Sequence, residues 1–83
     1  MSKSLNVSTE LKLIGMTVDE ALSALDKYLD DAYLAHLPEV TIIHGRGTGA
    51  LKNAVAGKLK RTKYVSEFHV DERNYGATIV KFK

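Results

Sequence analysis

A short apolar run passes directly into a glycine-rich loop and a basic helix pattern at Val40-Thr41-Ile42-Ile43-His44-Gly45-Arg46-Gly47-Thr48-Gly49-Ala50-Leu51. The run is rich in β-branched residues, which predicts a strand. From Ala50 to about Arg61 apolar residues recur every three or four positions, which predicts a helix with the stripe Leu51, Ala54, Val55 and Leu59. The loop therefore precedes a helix N-terminus, where unpaired N–H groups favour an anion.

The loop has the composition of an anion site. Its glycines allow the backbone to approach a ligand closely, and Arg46 adds a forked donor that matches phosphate. A dinucleotide fingerprint needs G-x-G-x-x-G, whereas Gly45, Gly47 and Gly49 form G-x-G-x-G, and no G-K-[ST] of a Walker loop is present. A phosphate held by backbone N–H groups and Arg46 is the preferred interpretation, and a tight turn of purely structural purpose is the alternative.

The flanking sequence predicts the order βαβαββ. Residues 10–14 alternate as a short strand, and Thr17 with Glu20 forms a capping box at the start of a helix with the stripe Val18, Leu22, Leu25, Leu29 and Ala32. Residues 65–70 and 77–82 are strand candidates separated by a turn of hairpin length. We predict an α/β fold, an α+β two-layer sandwich in which two helices cover a mixed four-stranded sheet. Two right-handed crossovers would make parallel strands, and the hairpin would supply an antiparallel edge.

Size and composition restrict the class of protein. The chain has 83 residues, no cysteine and no apolar run near the roughly 20 residues that span a bilayer. We expect a cytoplasmic protein without a membrane partner, with residues 1–8 as a flexible arm and residues 9–83 as one domain.

Charge is segregated along the chain. Residues 40–66 contain no acid and six bases, which are Arg46, Lys52, Lys58, Lys60, Arg61 and Lys63. Residues 17–36 contain the acids Asp19, Glu20, Asp26, Asp30 and Asp31 against the single base Lys27. This asymmetry favours a polyanion partner for the basic half, and simple solvation of two helix faces is the alternative.

The motifs resemble those of the Smr (small MutS-related) domain, including the branch at the C-terminus of the second bacterial MutS paralogue. They are Leu11-Lys12-Leu13-Ile14-Gly15, Thr17-Val18-Asp19-Glu20-Ala21, His44-Gly45-Arg46-Gly47-Thr48-Gly49 and a late glycine before the last strand. The resemblance implies binding of DNA or RNA and, in some members, metal-assisted endonuclease activity. It also implies a larger MutS-like ATPase as parent, linked to DNA repair, to suppression of recombination or to rescue of ribosomes.

The first strand departs from the nuclease members of that family. They have an aspartate and a His or Arg where this chain has Lys12 and Ile14. A lysine cannot hold a divalent ion or accept a proton while it is charged, and isoleucine offers no polar group. Nicking by a hydrolase, with His44 and Arg46 as catalytic residues and Mg or Mn as its metal, is therefore the second hypothesis. No metal ligands and no resident cofactor are predicted.

The predicted nucleic-acid site gathers the loop, its basic neighbours and the late turn. Its residues are Lys12, His44, Gly45, Arg46, Gly47, Thr48, Gly49, Lys52, Arg73 and Tyr75. Lys12 would add a cation near the loop, while Tyr75 would stack on an unpaired base or instead pack on a hairpin neighbour. His44 would act on the ligand or only shape the loop. A third hypothesis is a protein interaction module that uses the acidic helix face of Asp26, Asp30 and Asp31.

Overall fold

The computed structural model describes residues 7–83 and contains two helices and four strands in the predicted order. They are β1 (Glu10–Lys12), α1 (Val18–Leu34), β2 (Glu39–Ile43), α2 (Ala50–Lys60), β3 (Val65–Asp71) and β4 (Asn74–Phe82). The strands form one mixed sheet, and the predicted fold class is confirmed.

The strand order is β1-β2-β4-β3, with β1 parallel to β2 and both other pairs antiparallel. The closing hairpin supplies an antiparallel edge, as predicted, and β3 is its outer strand. Strand β4 lies inside the sheet, between β2 and β3. It is the longest strand, and Gly76, Ala77, Thr78 and Val80 are buried, whereas in β3 only Val65 is buried. Burial of the more apolar strand on both sides explains the order.

Helix α1 begins at the predicted capping box. The Thr17 hydroxyl accepts from the N–H of Glu20 at 3.1 Å, and the Glu20 carboxylate accepts from the N–H of Thr17 at 2.9 Å. The apolar stripe is rotated relative to the prediction, since the buried residues are Ala21, Leu25, Tyr28, Leu29 and Ala32. Val18 is exposed and lines a cleft, and Leu22 is half-buried.

The core lies between the helices and one face of the sheet. Val40 and Ile42 of β2 are buried in it, whereas Thr41 and Ile43 on the opposite face are only half-buried. Both helices contribute to the same cluster, whose largest fully buried side chains are Leu13, Leu25, Leu29, Ile42, Leu59, Val40, Val55 and Val80.

The predicted flexible arm, residues 1–8, lies largely outside the described residues and stays a prediction. Val7 and Ser8 are described, and they contact the domain. Val7 packs against the core, and the Ser8 carbonyl accepts a hydrogen bond from the Tyr28 hydroxyl at 2.5 Å. Among residues 7–83, neither helix has the length and apolar character needed to cross a membrane.

Candidate functional site

The glycine loop borders a cleft at the carboxyl ends of the parallel strands β1 and β2, where ligands of open α/β sheets bind. The cleft has a volume of about 430 Å³. Its walls are the turn before α1, residues 14–18, and the loop with the first turn of α2, residues 44–52. None of the lining residues is acidic. The fold therefore places an anion-compatible surface at the position where the sequence predicted one.

Strand β4 fixes the beginning of the loop. The N–H groups of His44 and Gly45 both donate to the carbonyl of Gly76 at 2.9 Å. A Cβ on Gly76 would lie 3.2 Å from the Gly45 carbonyl carbon and from Cγ of Arg46, so the close approach favours glycine. Sequence reasoning did not identify Gly76 as the anchor because the contact joins residues that are far apart in the chain.

The N-terminus of α2 is left open by its own sequence. Gly49 is the N-cap in a left-handed conformation with φ +91, and neither a side-chain cap nor an acid in the first turn compensates the helix dipole. Thr48 Oγ1 accepts from the N–H of Ala50 at 3.3 Å. Within residues 7–83, no acceptor receives the N–H groups of Gly47, Thr48, Gly49, Leu51 and Lys52. These donors are available to an anionic ligand.

His44 has the surroundings of a structural residue. The residue is 3% exposed, with Nδ1 at 3.0 Å from the Gly45 carbonyl oxygen and Nε2 at 2.9 Å from the Thr78 hydroxyl oxygen. A carbonyl only accepts, so Nδ1–H donates to it, and in the neutral ring Nε2 then accepts from Thr78. Both nitrogens are engaged, which favours a role in shaping the loop over a role as general base. The catalytic assignment stays a prediction.

Arg46 and Lys52 are the exposed cations of the site. Both line the cleft, and neither takes part in an ion pair within the described part of the chain. Lysine and arginine that are free of carboxylate partners retain their full attraction for phosphate. The predicted site residues 44–49 and Lys52 are thus brought together on one surface.

Of the remaining predicted site residues, the fold places one beside the loop and two outside both cavities. Tyr75 is 66% exposed and lines a second cavity of about 370 Å³ with the loop and Lys52. Lys12 and Arg73 line neither cavity. Strand alternation puts Lys12 on the sheet face opposite Leu11 and Leu13, which belong to the core or pack against it. Arg73 lies in the β3–β4 turn, where its N–H donates to Asp71.

The cleft does not fit a catalytic metal. Ile14, at the position where the resemblance implies His or Arg, is 64% exposed in the cleft and offers no ligand atom. No carboxylate lines the cleft, and no group of three His, Cys, Asp or Glu residues in the described part of the chain is arranged to hold a metal ion. Hard divalent cations require oxygen ligands, so no metal-dependent step is derived from these residues.

The acidic face of α1 is occupied within the domain. Asp26 pairs with Lys58 of α2 at 2.6 Å, and Asp31 pairs with Lys27 at 3.2 Å. Asp30 accepts a hydrogen bond from the Tyr64 hydroxyl. Since the three carboxylates already have partners, the face offers less to a basic protein than its charge alone indicates.

Known proteins are similar to this chain in sequence and in fold. The sequence profile described as "Smr domain" matches residues 11–83. A protein named "Endonuclease MutS2" from Lachnoclostridium phytofermentans is 65% identical over 100% of this chain and 11% of its own length. The protein of the same name from Agathobacter rectalis is 62% identical, again over 100% of this chain and 11% of its length. The chain thus spans about a tenth of these relatives.

Two solved structures have the same fold. The crystal structure of the Smr domain of Thermus thermophilus MutS2 matches with a TM-score of 0.86 and 36% identity, covering 89% of this chain and 96% of that one. YdaL, a stand-alone small MutS-related protein from Escherichia coli, matches with a TM-score of 0.87, covering 99% of this chain and 66% of that one. Its identity is 21%, so this second likeness shows the fold alone.

Proposed function

Because this chain belongs to the Smr domain family, we propose that it binds DNA or RNA by clamping the phosphate backbone on the Gly45–Gly49 loop. One observation carries the proposal. Unpaired N–H groups at the open N-terminus of α2 share a cleft with Arg46 and Lys52, and no acidic residue lines that cleft. Phosphate is the ligand that such donors recognise.

Binding of this kind selects for structure more than for sequence. Contacts to phosphate position a nucleic acid but carry no base identity. The same N–H groups and cations bind a phosphate of DNA or of RNA, because both backbones present the same oxygens. The domain would therefore distinguish its targets by the shape of the backbone and by the presence of unpaired segments.

Salt dependence of binding tests the proposal. Fluorescence anisotropy with a labelled duplex, measured between 50 and 200 mM salt, should give a log-log slope of about −3 to −4 if roughly four phosphates are neutralised. Arg46→Ala and Lys52→Ala should each weaken binding and make the slope shallower by about 0.9. The matched control is Lys63→Ala, which removes an exposed lysine beyond the far end of α2. A flat slope, or equal losses in all three variants, would contradict the proposal.

The relatives suggest the setting in which the domain acts. The chain matches the part of MutS2 proteins that makes up about 11% of their length. We propose that the domain holds nucleic acid for the remainder of a MutS-like ATPase in the cytoplasm. Suppression of recombination, DNA repair and rescue of ribosomes are the processes in which such a parent would act, with the ribosome as its partner in the last of these. Retention of a MutS2 protein on ribosomes or branched DNA, compared with the same protein carrying Arg46→Ala, tests this.

Endonuclease activity is the second candidate because the relatives carry the name "Endonuclease MutS2". Arg46 is exposed in the cleft, whereas His44 is buried, and Lys12 and Ile14 supply neither a carboxylate nor an imidazole. Incubation with supercoiled plasmid, with and without Mg²⁺ or Mn²⁺, followed by removal of the protein, tests this. Relaxed plasmid that is lost in Arg46→Ala would establish nicking, and intact plasmid would leave a binding module.

A further inference from the structure

Exposed apolar side chains cluster around the loop. In the described part of the chain, the large hydrophobic residues that are exposed are Ile14, Val18, Tyr33, Leu34 and Tyr75. Ile14 and Val18 line the cleft on one side of the loop, and Tyr75 lines the second cavity. An exposed apolar side chain is common on a surface, but a group of them beside an anion site indicates a ligand with an apolar part.

The sheet order separates these residues onto the two sides of the loop. The loop leaves the end of β2, whose neighbours in the sheet are β1 and β4. Ile14 follows the end of β1, and Tyr75 stands at the start of β4. Strands lie about 4.8 Å apart, so the two neighbours of β2 are separated by roughly 10 Å. The loop is therefore a ridge between an aliphatic recess and an aromatic one.

Both recesses include the donors of the ridge. The two cavities share residues 45–49 and Lys52, and they differ in the apolar side chains that close them. The first also includes Met16 and Leu51, which are half-buried. A ligand with phosphate at its centre and an apolar group on each side would fit this arrangement.

We propose that the ridge binds an unpaired dinucleotide step of DNA or RNA, with its central phosphate on the loop and its two bases turned to opposite sides. One base packs on Ile14 and Val18, and the other stacks on the ring of Tyr75. This inference rests on the proposed phosphate clamp and names the class of nucleic acid that it selects. In a duplex the base faces are covered by neighbouring bases, so only an unpaired segment offers them.

Removal of bases tests the proposal while the phosphates stay in place. Anisotropy is measured with labelled dT12 and with a 12-mer of abasic residues, at one salt concentration, on the 83-residue chain. The chain should bind dT12 at least about tenfold more tightly, since a stacked base contributes roughly 1–3 kcal/mol. Equal affinity for the two oligonucleotides would overturn the proposal.

Substitutions on the two sides test the geometry. Ile14→Ser and Tyr75→Ala should each reduce the preference for dT12 by several-fold, and Tyr75→Phe should keep it because the ring remains. The matched control is Leu34→Ser, since Leu34 is 69% exposed but lies at the end of α1, outside both cavities. Circular dichroism checks that each variant is folded. If only one side affects the preference, the two-sided arrangement is wrong.

Arg46→Ala separates this inference from the function on which it rests. Arg46→Ala should weaken the binding of dT12 and of the abasic oligonucleotide by a similar factor, because both present the same phosphates. If Arg46→Ala weakens both affinities while the wild-type chain binds the two oligonucleotides equally, the phosphate clamp stands and the dinucleotide proposal fails. If Arg46→Ala changes neither affinity, the phosphate clamp fails as well.

Discussion

The imidazole of His44 joins the start of the loop to strand β4. Its two hydrogen bonds reach the adjacent Gly45 carbonyl and the Thr78 hydroxyl, and Thr78 is only 4% exposed. A buried hydroxyl that loses its partner destabilises a fold, so the two side chains depend on each other. The stability of the loop and its shape are therefore linked through one residue pair.

A double-mutant cycle measures this link. His44→Phe should lower the free energy of unfolding by about 1–3 kcal/mol because it leaves the Thr78 hydroxyl buried without a partner. In the background of Thr78→Val the same substitution should cost less, with a coupling energy of roughly 0.5–3 kcal/mol. Urea denaturation of the four proteins gives these values. Strictly additive costs would show that the pair does not interact and would reopen a catalytic role for His44.

The free energy of unfolding should depend on pH in the alkaline range because of Tyr28. Burial, and secondarily the charge of Glu10, raise the pKa of Tyr28 from 10.0 to about 12. Between these values the folded state keeps a proton that the unfolded chain has lost, so the free energy of unfolding falls as pH rises. This contribution is fully present below about pH 10.

Tyr28→Phe isolates that contribution. It removes the titrating hydroxyl and its hydrogen bond to the Ser8 carbonyl. The variant should be less stable at pH 7 but should lose less stability between pH 10 and 12 than the wild-type chain. Thermal or urea denaturation across this range measures the difference. Parallel curves would mean that Tyr28 does not titrate in this window.

The N-termini of the two helices differ in how they are capped. Helix α1 has a complete capping box and two acids, Asp19 and Glu20, in its first turn. Helix α2 has neither, and its N-cap is the left-handed Gly49. A glycine N-cap costs only a few tenths of a kcal/mol relative to a side-chain cap, and it leaves N–H groups of the first turn without a side-chain acceptor. In the proposed function, the start of α1 is structural and the start of α2 binds the ligand.

An acid at the start of α2 should stabilise the domain and weaken its binding of nucleic acid. Ala50→Asp should raise the free energy of unfolding by about 0.3–1 kcal/mol through the helix dipole. The same carboxylate would occupy the donors and repel phosphate, so binding of a labelled duplex should weaken by several-fold at low salt. Ser23→Asp is the control, since it makes the same charge change at an exposed position of α1. Equal weakening by both would indicate an effect of net charge alone.

At the scale of the whole molecule, the position of β4 assembles the site. Because β4 lies beside β2, its first residues reach the loop, and Gly76 anchors it while Tyr75 borders it. With β4 at the sheet edge beyond β3, neither residue would touch the loop. The stability of the central strand is therefore a condition for the site.

Matched truncations in β4 and β3 test this topology. Val80 is fully buried in β4, and Val70 of the edge strand β3 is half-buried. Val80→Ala should lower the free energy of unfolding by about 2 kcal/mol, the value of two methyl groups plus a small cavity. Val70→Ala should cost less than about 1 kcal/mol because fewer of its contacts are lost. Equal costs in urea denaturation would argue against a central β4.

Local features of the fold could be predicted from the sequence. The capping box of Thr17 and Glu20, the strand before the loop and the apolar spacing of α2 depend on neighbours within one turn or one strand. The loop residues 44–49 and Lys52 were brought together for the same reason, since they are nearly contiguous. The resemblance to the Smr domain rested on these local motifs, and the match over residues 11–83 confirmed it.

Contacts between distant residues required the tertiary structure. The place of β4 inside the sheet, the hydrogen bond of His44 to Thr78 and the anchoring of the loop by Gly76 join residues more than 30 positions apart. The structure also shows that Ile14 borders the cleft, whereas Lys12 lines neither cavity. Local spacing determines where helices, strands and donors occur in the chain. Burial of β4, which is more apolar than β3, inside the sheet decides which of them meet, because that free energy depends on all the elements at once.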